Sequence, residues 1–194
     1  MKFSRNVWTL VATLALAGSA LAAPMNISGV KVEDSATVAG AKLQLNGAGI
    51  RYKAIFKVYV AELYTSKKVA TLEELVAAPG PKRMAVTMLR DIDARELGKL
   101  LTRGMEDNAS KTEMSKLVPG LIRMGAIFSE QKNLKAGDRF EIDWIPGKGS
   151  VITVKGEVQG EPFVEADFFK ALMSIWLGSV PADYKLKDNL LGMK

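Results

Sequence analysis

The segment "NGAGIRYKAIFKVYVAELYTSKK", from Asn46 to Lys68, decides how the first half of the chain is interpreted. It is rich in apolar, β-branched and aromatic residues, which predicts the longest strand of the protein. Arg51 lies in it directly behind a Gly-Ala-Gly triplet, which we interpret as a turn. Because a strand interior rarely accepts an unpaired charge, Arg51 is either a solvated edge charge or the anchor of a bound anion.

Alternation along this strand places Arg51 and Tyr59 on the same face. Arginine can hold a carboxylate with two parallel hydrogen bonds, and a tyrosine hydroxyl can add one more donor. In a straight strand, however, these two residues would be separated by roughly 26 Å, at about 3.3 Å per residue. They can bind one ligand only if the chain turns or bends sharply between them, near Tyr52 to Ala54.

Residues 1–22 have the pattern of an export signal. Lys2 and Arg5 precede an uncharged apolar core from Val7 to Ala17, and small residues follow in the spacing that signal peptidase recognises. We predict cleavage after Ala22 and a periplasmic product. The apolar core is shorter than the roughly 20 residues of a membrane span, so no stable membrane insertion is expected once the signal is removed.

The remaining domain, residues 23–194, is mildly basic. Loss of Lys2 and Arg5 lowers the formal net charge from +6 to +4, and the charges are interspersed, which is not the basic stripe of a nucleic-acid-binding protein. The sequence has no cysteine and no histidine. This composition rules out disulfides and nucleophilic pairs that need histidine, and it disfavours zinc, copper and haem sites. We predict no metal and no cofactor, and we expect a monomer.

The rest of the chain predicts an α+β domain. Alternating apolar residues and turn formers predict strands in "MNISGVKVED", "AKLQL" and "KRMAVTMLRD", and a hairpin in "DRFEIDWIPGKGSVITVKGEV". Apolar residues at helical spacing predict helices at 71–78, 93–108, 111–131, 165–178 and 182–192, with Pro119 and Gly120 as a break or kink in the third. We therefore expect helices on one face of a mostly antiparallel sheet.

Two further patterns are interpreted as structural. Gly47-Ala48-Gly49 lacks the third glycine and the following helix of a phosphate loop, so a hairpin turn is favoured. Glu141 and Asp143 alternate with Phe140, Ile142 and Trp144, which is typical of the solvent face of a half-buried strand rather than of a catalytic acid pair. The large aromatic residues of the second half are interpreted as core.

The stretch "GAGIRYKAIFKVYVAELY" resembles the chalcone isomerase superfamily, and three later segments agree with it in order. These are "MAVTMLRDI", "GDRFEIDWIPGKGSVITVKGE" and "FFKALMSIWLGSVPADYKLKDNLLG". The resemblance covers nearly the whole of residues 23–194. It implies an open-faced β-sandwich, with a large antiparallel sheet, a helical layer and a ligand cleft between them.

The resemblance also implies roles for particular residues. Arg51 matches the arginine that guides the phenolate in the isomerases, and Tyr59 stands where those enzymes carry a threonine. The fatty-acid-binding branch has a tyrosine there, and its arginine and tyrosine hold the ligand carboxylate. Polar positions of the isomerase cleft fall near Leu97 and Gly104, and a contact on the closing helix falls at Ser174 or its neighbour.

Three functions follow as hypotheses. The first is an exported, non-catalytic protein that binds a small amphiphilic carboxylate or phenolic ligand in a cleft between sheet and helices, through Arg51, Tyr59 and Ser174. The second is an isomerase or intramolecular lyase in which Arg51 stabilises the developing charge and Tyr59 or Ser174 assists. The third is a structural or partner-binding protein whose cleft is filled by its own side chains, with Arg51 paired to an internal carboxylate.

Overall fold

A computed structural model describes residues 25–193, so the predicted export signal and its cleavage point lie outside the described residues. The strands are β1 (Met25–Ile27), β2 (Val30–Val32), β3 (Ser35–Val38), β4 (Ala41–Lys53), β5 (Phe56–Thr65), β6 (Lys82–Met88), β7 (Ile92–Asp93), β8 (Asn133–Leu134), β9 (Arg139–Ile145), β10 (Gly149–Val154) and β11 (Glu157–Val158). The helices are α1 (Leu72–Ala77), α2 (Ala94–Glu106), α3 (Lys111–Glu130), α4 (Ala166–Leu177) and α5 (Tyr184–Leu190).

Seven strands form one antiparallel sheet in the order β11-β10-β9-β6-β5-β4-β3. Two short pairs, β1 with β2 and β7 with β8, lie outside it. Alternate side chains of β5, β6, β9 and β10 join those of the helices in one apolar core. The predicted α+β architecture, an open-faced sandwich of sheet and helices, is confirmed. Among residues 25–193, no helix has both the length and the apolar character that crossing a bilayer requires.

The decisive segment is a hairpin and not the single strand that we predicted. β4 ends at Lys53, Ala54 and Ile55 form the turn, and β5 returns from Phe56. Ala54 adopts a left-handed φ of 54°, a conformation that usually requires glycine, asparagine or aspartate. An Ala-Ile turn carries none of these residues, which is why the pattern hid it.

The Gly-Ala-Gly triplet, in turn, is not the hairpin turn that we predicted, because it lies inside β4. Helix α5 crosses the strand here at very short distance. A Cβ placed on Gly47 would overlap the backbone carbonyl of Asn189, and one placed on Gly49 would lie 2.8 Å from the Asn189 side chain. The glycines are therefore required by the close approach of a helix.

Two β-bulges adjust the hairpin. The pairing passes from Arg51–Tyr59 to Tyr52–Lys57, so β5 has one extra residue, Val58, at this point. Directly paired residues share a face of the sheet, and the bulge therefore puts Lys57 on the opposite face from Tyr59. Uninterrupted alternation along the strand would have put Lys57 and Tyr59 on the same face.

The second bulge is at Asn46 in β4, between the pairs Leu45–Tyr64 and Gly47–Leu63. The Asn46 side chain is buried and fully used. Its Nδ2 donates to the carbonyls of Val69, at 3.0 Å, and Leu190, at 2.7 Å, while its Oδ1 accepts from the Val69 N–H at 2.8 Å. One side chain thus ties β4 to the segment before α1 and to the end of α5.

The helices begin and end close to the predicted residues. Thr71 and Asp93 accept hydrogen bonds from the N–H groups three residues on, as N-caps do. Helix α3 runs through Pro119, so the predicted break does not divide it. Gly120 has another use, because a Cβ there would press on the ring of Phe168 from α4. The aromatic residues assigned to the core are buried in it, with Trp144 partly so.

The face of the sheet away from the helices is not an ordinary solvent face, contrary to our interpretation of Glu141 and Asp143. Arg83 makes two hydrogen bonds to Asp143, at 2.7 and 2.6 Å, and contacts Glu141 at 3.1 Å. Arg139 joins Glu141 at 3.0 Å to Glu62 at 2.7 Å. The Glu62 side chain is only 1% exposed. Every charge in this network has an opposite partner, which is what partial burial demands.

The contact between α5 and β4 leads to a first prediction. Gly47→Ala should lower the free energy of unfolding by about 1–3 kcal/mol, because the new Cβ must displace the α5 backbone. Gly125→Ala is the matched control. Gly125 lies in α3 with open space around its Cβ position, and Gly125→Ala should raise the free energy of unfolding by up to about 1 kcal/mol. Urea denaturation measures both, and equal effects would contradict the close approach.

Candidate functional site

The hairpin places Arg51 and Tyr59 next to each other on one face of the sheet. They are direct partners in the β4–β5 ladder, and the Arg51 guanidinium carbon lies 5.7 Å from the centre of the Tyr59 ring. The turn at Ala54 and Ile55 is therefore the sharp bend that the sequence required between them. The separation of roughly 26 Å, at about 3.3 Å per residue, would have applied only to a straight strand.

The charge and the Nε donor of Arg51 are not satisfied by the described part of the protein. Within residues 25–193 no carboxylate lies within 4.0 Å of its guanidinium, and its buried Nε has no hydrogen-bond partner. Buried donors are nearly always satisfied, and an unsatisfied one costs about 1–3 kcal/mol. Arg51 therefore keeps a donor and a positive charge with which it could bind an anion.

Tyr59 offers a second donor at the same place. Its side chain is 4% exposed, and its hydroxyl oxygen accepts a hydrogen bond of 2.9 Å from the Trp176 indole of α4. No acceptor for the hydroxyl proton is found among the described residues. Burial raises the pKa of Tyr59 to about 12, although the charge of Arg51 opposes the rise. The hydroxyl is therefore neutral at physiological pH and can donate.

Asp183 closes the site on the side of α5. Its Oδ1 accepts from the Leu186 N–H at 3.0 Å, which caps the helix, and its Oδ2 accepts from the Tyr52 N–H at 2.9 Å. Both carboxylate oxygens thus bind backbone donors, and Asp183 forms no ion pair with Arg51. Its negative charge contributes to the raised pKa of Tyr59.

Sequence reasoning missed Asp183 and Trp176. A cap signal was present, since Asp183 stands before an apolar helical pattern, but its second hydrogen bond goes to a strand about 130 residues earlier. Trp176 was assigned to the core, where it lies. Its contact with Tyr59 depends on how α4 is placed over β5. No sequence pattern encodes that placement.

Ser174, the third predicted residue, lies elsewhere. Its hydroxyl donates to the Ala171 carbonyl of the same helix at 2.6 Å, and the residue lines a cavity of about 710 Å³. Neither Arg51 nor Tyr59 lines that cavity. The structure therefore brings together two of the three predicted residues and separates the third.

This cavity is a space among helices and not the predicted cleft between sheet and helices. Its lining comes from α1, α3, α4, α5 and the short connections next to them, and no residue of a strand contributes. The apolar lining is mostly leucine and alanine, while the rim carries side chains of both charges. The charged rim residues are Glu73, Glu113, Lys116, Asp167, Lys170 and Lys187.

The positions that the isomerases would fill with polar groups are apolar here. Leu97 is 3% exposed and belongs to the core. A Cβ on Gly104 would lie 3.0 Å from the Ile175 side chain, so α4 occupies the space that a larger residue would need. Arg51 and Tyr59 therefore have no polar support from α2. Within residues 25–193 no group of three carboxylates could hold a metal ion.

The raised pKa of Tyr59 yields a second prediction. The unfolded chain releases this proton near pH 10, whereas the folded protein keeps it to about pH 12. Tyr59 therefore stabilises the folded state below pH 10, and that contribution is lost as the pH rises through 12. Ultraviolet titration of tyrosinate should show that Tyr59→Phe removes an ionisation centred near pH 12. Loss of one centred near pH 10 would contradict the buried hydroxyl.

Comparison with known proteins places the chain in a family. A solved structure with a similar fold is the crystal structure of a fatty-acid-binding protein from Arabidopsis thaliana. It has 14% sequence identity and a TM-score of 0.68, over 84% of this chain and 92% of the other. No curated protein is detectably similar in sequence. Residues 24–192 match the family model described as chalcone isomerase-like. Since this match spans most of its length, the chain belongs to the chalcone isomerase-like family.

Proposed function

We propose that the protein binds a small amphiphilic acid, such as a fatty acid, with the carboxylate held between Arg51 and Tyr59. The observation that carries the proposal is the pair of unused donors. Arg51 has a buried Nε without a partner, and the Tyr59 hydroxyl proton has no acceptor among the described residues. A carboxylate accepts from both kinds of donor and would neutralise the charge of Arg51.

Trp176 determines which hydrogen bonds the Tyr59 hydroxyl can still form. Because its indole N–H donates to the Tyr59 oxygen, it occupies one lone pair and leaves the hydroxyl proton without an acceptor among the described residues. Asp183 accepts the backbone N–H groups of Leu186 and Tyr52, and it takes no hydrogen bond from the Tyr59 hydroxyl in the structure. An incoming carboxylate is then the acceptor that completes the set.

The hydrocarbon tail would lie in the helical layer, beside Tyr59. The Trp176 indole borders that position in the structure, and we propose that its ring shifts to admit the tail while its N–H keeps the hydrogen bond to the Tyr59 hydroxyl. Burial of each methylene contributes about 0.8 kcal/mol, so roughly eight of them outweigh the about 1.5–3 kcal/mol of a hydrogen bond to a charged group. The tail would set the affinity, and Arg51 would set the orientation.

Two observations support binding rather than isomerisation. The positions on α2 that carry polar groups in the isomerases are Leu97 and Gly104, which cannot polarise or protonate a substrate. The structural neighbour of the same fold is described as a fatty-acid-binding protein. In the part of the chain that the structure describes, Arg51 also has no carboxylate partner of the kind that the purely structural hypothesis requires.

The ligand proposal is tested by calorimetry with delipidated protein and decanoate. Arg51→Ala should weaken binding about 10- to 100-fold, the loss expected for a hydrogen bond to a charged group worth about 1.5–3 kcal/mol. Tyr59→Phe should weaken binding less, because a single neutral donor is removed. Arg103→Ala is the matched control, since Arg103 is an exposed arginine of α2.

Decanol, which has the tail but no carboxylate, provides the second arm of this test. Its affinity should be the same for the wild type and Arg51→Ala. Equal decanoate affinity in those two proteins would overturn the site, and binding of neither compound to the wild type would overturn the ligand class. Native mass spectrometry of the purified protein would identify any ligand that stays bound.

We also propose that the protein is exported and that residues 1–22 are removed. The support is the sequence pattern alone, with Lys2 and Arg5 before an apolar core and small residues before position 23. The N-terminal residue of the protein recovered from the periplasm should be Ala23. Recovery of a chain that begins at Met1, in the cytoplasm, would contradict both the cleavage and the location.

A further inference from the structure

The turn of the β4–β5 hairpin presents an exposed apolar surface, which we call the hairpin tip and define as residues 52–57. Ile55 is 84% exposed, Phe56 is 56% exposed and Tyr52 is 36% exposed. Ile55 is more exposed than any other large hydrophobic residue of the described chain. Three such residues around one two-residue turn are a cluster, whereas single exposed apolar residues are ordinary.

The charges around the hairpin tip are positive. Lys53 and Lys57 belong to it, and the Arg90 guanidinium carbon lies 5.3 Å from the centre of the Phe56 ring. From Gly47 to Ala61 the chain has no acidic residue. Two carboxylates come near the hairpin tip. Asp183 accepts backbone N–H groups with both oxygens, and Asp91, which follows Arg90, accepts the Ala136 N–H. Lys57 is held in place by a 2.9 Å hydrogen bond to Ser28.

The size of this surface distinguishes between possible partners. A stable protein interface buries about 800 Å² and about 20–30 residues on each partner, whereas the hairpin tip is a short segment around a two-residue turn. The boundary of a bilayer accepts a different object: isoleucine and aromatic residues enter the headgroup region, and lysine and arginine reach lipid phosphates. Anionic phospholipid in the bilayer surface would also attract the positive charges.

We propose that the hairpin tip docks on the surface of a bilayer that contains anionic phospholipid. Ile55 and Phe56 would enter the headgroup and acyl boundary, and Lys53, Lys57 and Arg90 would contact phosphates. This docking needs no bound acid. If the proposed function also holds, docking sets Arg51, four residues from Ile55, close to the source of an amphiphilic ligand.

Vesicle co-sedimentation tests the docking, with the same N-terminus kept in every variant so that residues 1–24 contribute equally. The wild type should bind vesicles of phosphatidylcholine with about one third phosphatidylglycerol, and bind pure phosphatidylcholine much less. Raising the salt from about 0.1 M to about 1 M, which shortens the Debye length from about 10 Å to about 3 Å, should weaken binding.

Two double variants separate the apolar and the charged contributions. Lys53→Gln with Lys57→Gln should lower the affinity for anionic vesicles about 25-fold, at roughly fivefold for each lysine. Ile55→Ser with Phe56→Ser should lower it at least about tenfold. The matched control is Val158→Ser with Val164→Ser, which removes apolar groups that are 63% and 69% exposed elsewhere on the protein. The control should bind as the wild type does.

The absence of cysteine from the chain allows a direct readout of the docked residue. Ile55→Cys, labelled with a polarity-sensitive fluorophore, should shift to shorter wavelength on anionic vesicles, whereas the same label on Val158→Cys should not. Equal shifts at the two positions, or equal vesicle binding by the tip and control variants, would overturn the proposal. A different result would also overturn it: the wild type does not bind vesicles but self-associates in sedimentation velocity, and the tip variants abolish that self-association.

Discussion

The close approach of α5 to β4 is the constraint on which the rest of this structure depends. Gly47 and Gly49 have no side chains, so the helix backbone rests directly on the strand. That position puts the cap residue Asp183 within hydrogen-bond distance of the Tyr52 N–H and brings the end of the helix to the Asn46 side chain. The hairpin is thereby held against the helical layer at both ends of α5, and the candidate site lies beside its beginning.

The arginines on the two faces of the sheet differ in whether they have carboxylate partners. On the face away from the helices, Arg83 and Arg139 are saturated by carboxylates, one of which is the almost fully buried Glu62. Removing a partner from such a network would leave a buried charge uncompensated. On the helical face, Arg51 has an aromatic neighbour in Tyr59 and no carboxylate partner within residues 25–193, so its positive charge remains available. This contrast within one sheet favours an external anion as the partner of Arg51.

One hairpin combines the proposed ligand anchor and the proposed membrane-docking surface. The β-bulge at Val58 separates their side chains, with Arg51 and Tyr59 on the helical face and Lys57 on the other. Because the strands are paired between the turn and the site, the distance from Ile55 to Arg51 is fixed by backbone hydrogen bonds. A binding protein built in this way would meet its ligand where amphiphilic acids are concentrated, at a bilayer surface.

The sequence by itself determined the fold class, most helix boundaries and the late hairpin, and it placed Arg51 and Tyr59 on one face, because periodicity, capping residues and family resemblance are local or ordered along the chain. Tertiary structure decided the rest. The turn predicted at the glycine triplet lies instead at Ala54 and Ile55. A glycine that a crossing helix requires cannot be distinguished in sequence from one that a turn requires. Only the packing of α4 separated Ser174 from Arg51 and joined Trp176 to Tyr59, because such contacts connect residues more than 100 positions apart and leave no periodic pattern in the chain.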